Sequence, residues 1–393
     1  MQTQRIKFVK SLGIRDTLDL NVNHSDHNFY AEGIVTSNSH AVAYASLSAI
    51  TIYLKFKYPQ HFFLSLLKMT RHEPDPISEI SKIEKELSSF NIRLLPPHLI
   101  KSQDDFSIEG NDIRFGLTSI KGISEKTIEN VNKFRKEFKT KFDIFESSEA
   151  AGLNINTLCA LIQAGCLEGF KQSRSKIVYE AQLWNKLSKK EKVHAISLGE
   201  SFDYDLVKIV GHLCKTVDAK GKLYIKDSRL NTIRKNCLPY KEIYEVNSKS
   251  EKFANWYYEN SLIGYSVNNK LRDVFAEKRS DLQLIKDIND LPEKYDVEFI
   301  GVVKECKSGV SREKKNKYYK MLVSDETAAI TTMIFSKKLL EMEGLNGRLP
   351  EEKDIVIVLG QKFGDAVFAD TVAIQTHKVY TKFSQLKADK KDS

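Results

Sequence analysis

The sequence predicts a multidomain α+β protein made of three unlike pieces. Residues 1–38 show short alternating apolar runs separated by turn residues. From about residue 40 the apolar positions recur at helical spacing. From Val297 alternation returns in five runs, with one helical run between the third and fourth.

Taken in order, Ile6 to Val9 and Thr17 to Val22 are strand candidates, the second alternating Leu18, Leu20 and Val22 with polar residues. Phe29 to Ala31 and Ile34 to Thr36 flank Glu32-Gly33, a small hairpin. Ala41 to Tyr58 is apolar on every face, which predicts a buried helix stopped by Pro59. Asp75-Pro76 supplies an N-cap and a first-turn proline, and Ile77, Ile80, Ile83 and Leu87 form one stripe behind it. Phe90 to Gly116 reads as a loop-and-strand connector. Helical segments are predicted near 117–139, 155–168 and Ser173 to Leu198, and residues 200–290 give weak mixed signals. Strands follow at 297–305, 318–324, 329–335, 353–360 and 366–374, with a helix at about 336–343. That order is the order of an OB barrel. A polar tail follows Tyr380.

Composition narrows the function. The chain has 393 residues, 41% of them hydrophobic, enough for several packed domains. Its longest apolar stretch, Ala41 to Leu54, contains Ser46, Ser48 and Thr51 and falls short of the roughly 20 residues a bilayer needs. With no exported leader visible, a cytoplasmic protein without a membrane partner is expected. Cys159, Cys166, Cys214, Cys237 and Cys306 form no CxxC pair, which excludes a zinc ribbon or a disulfide scaffold. The net charge is +9. Arg5, Lys7, Lys10 and Arg15 balance Asp16, Asp19, Asp26 and Glu32, so the excess lies after residue 38, where it suits a partner with a phosphate backbone.

The boundary between the first two pieces is Ser37-Asn38-Ser39. An asparagine amide can attack its own carbonyl, close a succinimide and break the chain after itself. A following serine hydroxyl can accept an acyl group and later pass it to its own amine. Both steps need held geometry and a proton relay, for which His27 and Asp19 are the candidates. Lys10-Ser11-Leu12-Gly13, Thr17-Leu18-Asp19-Leu20, Asp26-His27-Asn28-Phe29 and Gly33-Ile34-Val35-Thr36-Ser37-Asn38 together resemble the C-terminal fragment of a split intein. The resemblance implies that Asn38 cyclises, that Ser39 is the second nucleophile, and that His27 and Asp19 assist. Two departures are notable. Ser37 stands where many inteins carry histidine, and Ser39 stands where a more reactive cysteine often stands. The first nucleophile would lie on a partner's N-intein.

Residues 39–393 resemble the C-terminal part of the bacterial DNA polymerase III alpha subunit. The likeness is carried by Ser39-His40-Ala41-Val42-Ala43-Tyr44-Ala45, Ile92-Arg93-Leu94-Leu95-Pro96-Pro97, Ile113-Arg114-Phe115-Gly116-Leu117, Ile120-Lys121-Gly122-Ile123, Leu161-Ile162-Gln163-Ala164-Gly165 and Leu262-Ile263-Gly264-Tyr265. The implied domains are a C-intein at 1–38, the end of the polymerase fingers at 39–100 and a tandem helix-hairpin-helix region at 101–200. A mixed linker at 201–290, an OB-fold at 291–380 and a tail at 381–393 complete them.

The residues themselves support DNA contact. Lys121, Gly122, Ile123 and Ser124 precede a helix starting near Glu125, where a tight turn presents amides and a helix N-terminus to a phosphate. Lys126, Lys133, Arg135, Lys136 and Lys139 follow on that helix, opposite Ile128, Val131 and Phe138. Ala164-Gly165-Cys166 matches a second hairpin. In the barrel the first loop carries Lys304, Lys307, Arg312, Lys314, Lys315, Lys317 and Lys320 beside Tyr318, Tyr319 and Phe335, a pattern suited to single-stranded DNA. One tyrosine of the pair is expected in the core.

A polymerase needs clustered carboxylates for two metal ions. The nearest acids, Asp104-Asp105 and Asp203-Tyr204-Asp205, read as surface loops. No cofactor is therefore expected in this chain. The resemblance implies Mg2+ in the assembled polymerase, with its ligands on the partner half. Implied partners are an N-terminal polymerase half carrying the N-intein, duplex primer-template and single-stranded template DNA, and a sliding clamp. A rival reading is a stand-alone DNA-binding accessory protein with an inactive intein remnant.

Overall fold

The computed structural model describes residues 28–31, 34–37, 40–167, 169, 172–266, 270–276, 279, 281–310, 316–375 and 379–380. The chain divides into two units, 1–62 and 63–393.

In the first unit β1 (Asn28–Ala31) and β2 (Ile34–Ser37) pair antiparallel with Ala31 opposite Ile34, the hairpin expected around Glu32-Gly33. The two earlier strand candidates lie outside the described residues. Helix α1 (His40–Lys57) follows. It departs from expectation: Leu47, Ile50, Ile52 and Leu54 are all exposed, not buried. A helix apolar on every side needs a surrounding shell, and these described residues do not supply one.

The second unit begins in α2 (Pro59–Met69), which buries Phe63 and Leu67 completely. Asp75 caps α3 (Pro76–Leu87) by accepting the Ser78 amide, and Pro76 opens it, as the sequence predicts. Ile80 and Leu87 are fully buried, and Ile77 and Ile83 half-buried. The connector holds β3 (Leu94–Leu95), β4 (Ser107–Glu109) and β5 (Asp112–Arg114) in one small sheet, β3 parallel and β4 antiparallel to the central β5.

Helices dominate from here: α4 (Glu125–Phe134), α5 (Lys141–Ala150), α6 (Ile155–Gln163), α7 (Arg174–Trp184), α8 (Lys189–Ser197) and α9 (Leu206–Leu213). Then come α10 (Asp227–Asn247), α11 (Glu251–Ile263), α12 (Leu271–Phe275) and α13 (Ile285–Asn289). Two predicted helices differ from expectation. Of the 117–139 segment only α4 is α-helical, after a single 3-10 turn at Leu117–Ser119, and α5, which a Thr140–Asp143 capping box starts, was not predicted. Ser173 to Leu198 divides because Ser188 and Glu191 form another that starts α8. The segment with weak signals, 200–290, is mostly helical.

The last piece is a closed five-stranded barrel. It comprises β6 (Asp296–Val310), β7 (Lys317–Ser324), β8 (Ala329–Phe335), β9 (Ile355–Phe363) and β10 (Ala366–Ile374). Helix α14 (Ser336–Asn346) lies between the third and fourth strands. Alternation fills the interior: Tyr319, Met321 and Val323 from β7 meet Phe299, Ile330, Val356, Val358 and Val367. Each fully buried apolar side chain contributes roughly 1.5–3 kcal/mol. No described helix is long and apolar enough to cross a membrane.

The barrel and the helices meet at a polar junction. Lys85 Nζ donates to Ser324 Oγ and, at 2.6 Å, to the Asp325 carbonyl. The Asp325 carboxylate accepts the amides of Ile285, Thr327 and Ala328. Glu326 accepts from Trp256 Nε1 and the Leu271 amide. Burial pushes the Glu84 carboxyl up to about 7, with Lys85 opposing and Glu326 reinforcing the rise. A carboxyl raised above its unfolded value stabilises the fold while protonated, and that contribution is lost as pH rises from about 4.5 through about 7. Glu84→Gln is therefore expected to exceed the parent in stability at pH 8 by on the order of 1–3 kcal/mol, with the difference closing near pH 4.5. Urea melts at the two pH values measure it; equal gains at both would contradict the assignment.

Candidate nucleic-acid interface

A hairpin connects the small sheet to α4. Ile120 and Ile123 are buried and anchor it, while Lys121, Gly122 and Ser124 between and beyond them are exposed. Gly122 has φ +97°, a conformation that a side chain would strain, and a Cβ there would meet only open space. The Lys121 amide donates to the Leu262 carbonyl at 3.0 Å, and the Ile123 amide to the Ile120 carbonyl at 3.0 Å. The turn is thus pinned on both sides of its exposed tip. Ser124 caps α4 reciprocally with Thr127, whose hydroxyl accepts the Ser124 amide at 2.9 Å. Lys126 stands exposed in the first turn. All five predicted hairpin residues are therefore brought to one place.

Sequence reading missed the facing wall. Lys68, Arg71 and His72, at the end of α2 and in the turn after it, line a cleft of about 550 Å³ whose other side includes Lys121, Gly122 and Ser124. Arg71 is held by Asp105 at 3.1 Å and Glu125 at 3.9 Å. The only available signal was the short basic run Lys68, Arg71, His72, far from the hairpin in sequence.

Two parts of the expected basic surface are otherwise engaged. Arg135 lies beyond the last helical residue and donates to the carbonyls of Ile100 and Ser102, with Asp104 at 3.7 Å, so it braces the connector. At the second hairpin Gly165 has φ +80°, and the Arg174 guanidinium lies where its Cβ would be, 2.6 Å away. Arg174 also pairs with Glu259 at 2.6 Å. An internal cation covers that turn.

The barrel carries the second surface. Tyr319 points inward and its hydroxyl donates to the Pro350 carbonyl, while Tyr318 points outward. Tyr318 starts a row of rings across four strands: Tyr318 to Phe335 at 6.3 Å, Phe335 to Phe368 at 5.3 Å, and Phe368 to Phe363 at 4.8 Å between centroids. Gly309 pairs with Tyr318 and makes room for it; a Cβ there would lie 2.3 Å from the ring. Lys307, Lys317 and Lys320 are exposed on the same two strands. Phe363 and Phe368 were not predicted, because barrel closure, with β10 parallel to β8, brings them beside Phe335. Phe368 is 37% exposed, so Phe368→Ala is expected to leave the fold intact and to weaken single-strand binding about five- to tenfold, the scale of one lost base stack. Fluorescence anisotropy with a labelled oligonucleotide tests this.

Asp19, His27, Asn38, Ser39, Arg312, Lys314 and Lys315 lie outside the described residues. The loop acids have local roles. Asp105 holds Arg71, Asp104 accepts from Asn132, and Asp205 caps α9 and pairs with Lys176. Among the described residues no group of three or more His, Cys, Asp or Glu side chains is placed to hold a metal ion.

The geometry defines a helix-hairpin-helix region followed by a barrel, and comparison agrees: residues 91–177 match the helix-hairpin-helix motif. The C-terminal region is homologous to the DNA polymerase III alpha subunit. The chain is 26% identical to the Campylobacter jejuni protein of that name over 317 residues, covering 79% of this chain and 24% of the relative. It is 25% identical to the Chlamydia pneumoniae protein over 368 residues, covering 91% and 27%, and 35% identical to the Aquifex aeolicus protein over 146 residues, covering 36% and 12%. The chain thus spans about a quarter of the length of the first two relatives and 12% of the third.

Proposed function

We propose that this chain is the C-terminal part of a split replicative DNA polymerase of the polymerase III alpha type. The observation that carries the reading is the pinned, exposed hairpin at Lys121-Gly122 within a region homologous to those subunits. The hairpin grips duplex backbone through its exposed turn at Gly122 and the side chains of Lys121 and Lys126, without reading bases. Strand order β6-β7-β8-β10-β9, closing on β6, with α14 after the third strand supports an OB-fold, and its ring row supports stacking of template bases. The exposed apolar helix α1 fits a fingers segment covered by the partner half. That half would supply the carboxylates for Mg2+, and a sliding clamp would be a further partner of the assembled enzyme.

Residues 1–38 act in this reading as a C-intein. The partner's first residue forms an ester or thioester, and Ser39 Oγ captures its acyl group. The Asn38 side-chain nitrogen attacks its own carbonyl carbon, assisted by His27 and Asp19, breaking the Asn38–Ser39 bond and freeing the Ser39 amine. That amine attacks the ester carbon, which leaves a peptide bond and restores the Ser39 hydroxyl. Co-expression with a candidate N-terminal half tests it by mass: a joined product beginning its second part at Ser39 is expected, and none from Asn38→Ala. If the parent gives no joined product, the splicing reading fails. If unjoined halves then synthesise DNA together, assembly is non-covalent; if they do not and this chain alone binds DNA, the accessory-protein reading replaces it.

A further inference from the structure

Helices α6, α7, α10 and α11 enclose an open cavity of about 520 Å³, within the range of small-molecule sites. It lies apart from the hairpin cleft and the barrel rings. No residue lining it has a charged side chain. Its walls carry four tyrosines and four side-chain amides among small and aliphatic residues. Tyr179 and Tyr244 lie nearly parallel, 5.4 Å between centroids and 8° between planes, and Tyr240 stands one turn before Tyr244 on α10. Pro239, inside α10, also lines the cavity and removes one rung of the helix ladder there.

The amides divide into two sets. Asn247 is satisfied, donating to Tyr258 Oη and the Tyr380 carbonyl and accepting the Tyr380 amide. Asn156 and Gln163 side chains make no hydrogen bond to another described residue, and Gln182 donates only to the Cys159 sulfur at 3.5 Å. Gln163 and Gln182 thus line the cavity with donors and acceptors available, and Asn156 stands at its solvent-exposed rim. Burial pushes the Cys159 thiol and the Tyr179 phenol up to about 12, so both stay neutral. Two cations stand beside the cavity and both are paired: Arg174 donates to the Gln163 carbonyl at 3.3 Å and pairs with Glu259, while Lys176 Nζ, 5.8 Å from the Tyr244 ring centroid, pairs with Asp205 at 3.2 Å.

We propose that this cavity binds a single unpaired nucleobase. A base is planar, uncharged and edged with both donors and acceptors, which matches stacked phenols flanked by amides. The absence of charge inside places the sugar and phosphate outward, toward solvent. The base can come from a DNA strand or from a free nucleoside, and the chemistry of the cavity is the same for both. The strand source rests on the DNA-binding reading above.

The test uses the full chain with three probes: a labelled dA oligonucleotide, the same length of abasic strand, and a duplex. Adenosine is titrated separately. Tyr244→Ala and Gln182→Leu are compared with the parent after thermal melts confirm folding. If a strand supplies the base, either variant lowers dA-strand affinity about 5- to 100-fold, leaves abasic-strand affinity unchanged and leaves duplex affinity, set by the hairpin, unchanged. A 5-iodouracil strand then cross-links to Tyr240 or Tyr244, a signal that a structural role would not give. If a free nucleoside is the ligand, adenosine binding is lost in both variants while strand affinity holds. Folded variants that bind strand and adenosine like the parent overturn the proposal. A parent that binds no DNA of any kind removes the DNA reading, and adenosine then decides the cavity alone: loss in the variants sustains it and no binding by the parent overturns it.

Discussion

Reversing two charges at the hairpin, Lys121→Glu with Lys126→Glu, is expected to lower duplex affinity by about one to two orders of magnitude near 0.1 M salt. Both side chains are exposed and neither pins the turn, which is held by the Lys121 amide, so the fold should be unaffected. Each lost phosphate contact also flattens the dependence of log affinity on log salt by about 0.9. The slope should therefore fall by roughly two in the double variant. A measured slope near zero in the parent would remove the DNA assignment, because phosphate contact necessarily releases counterions. An unchanged slope in the variant would place the contact elsewhere.

The largest stability effect is expected at Lys141→Met. Lys141 is buried, and its Nζ contacts the carboxylate of Glu180 and the Gln172 amide oxygen. Glu180 is completely buried and also accepts the Leu206 amide at 3.1 Å. Removing one partner strands the other charge, which typically costs about 3–5 kcal/mol. Lys176, 3.8 Å from Glu180, keeps the loss toward the lower figure. Replacing both residues, Lys141→Met with Glu180→Leu, should recover most of it, since a well-packed apolar pair needs no desolvation. Burial already raises the Glu180 carboxyl above its ordinary range, and losing Lys141 raises it further. A proton then relieves the stranded charge, so the single variant should be closer to the parent at pH 5 than at pH 8. Urea unfolding at both pH values gives the cycle, and a double variant as unstable as the single one would refute it.

Much of the architecture was legible because it rests on local rules. The barrel strands were found by alternation, and β8 and β10 match in full: Ile330, Thr332 and Ile334 alternate inward along β8, and Val367, Ala369 and Val372 along β10 with one shift between Ala369 and Thr371. Strand β6 runs on to Val310, past its predicted end, because after a register shift between Val303 and Glu305 it stays paired with β7 as far as Lys317. Breaks within helices were harder to see. Ser188-Glu191 is a start signal in the sequence, yet it sits inside a longer run whose composition suits a helix throughout, and the Thr140-Asp143 signal just past residue 139 was not read. The hairpin was legible because Gly122 and Ser124 announce a turn and a cap. Arg135 was misread because its acceptors are backbone carbonyls at Ile100 and Ser102, which no side-chain pattern reveals. Phe363 and Phe368 escaped for a related reason, as only strand pairing sets them beside Phe335. The exposed face of α1 ran against the one rule applied to it, that apolar surface is covered.

The hydrogen bond from Lys121 to Leu262 has a consequence for timing. The hairpin tip is local in sequence, but its clamp comes from the end of α11, where Gly264, with φ +92°, lets the chain approach the Ile77 carbonyl. During synthesis at about 5–20 residues per second, Leu262 follows Lys121 by on the order of ten seconds. A nascent chain therefore carries the hairpin sequence well before it carries the hairpin geometry. Translation must pass residue 264 before the growing polypeptide holds a finished grip, so ribosome-bound chains shorter than this should pass over DNA without lodging on it.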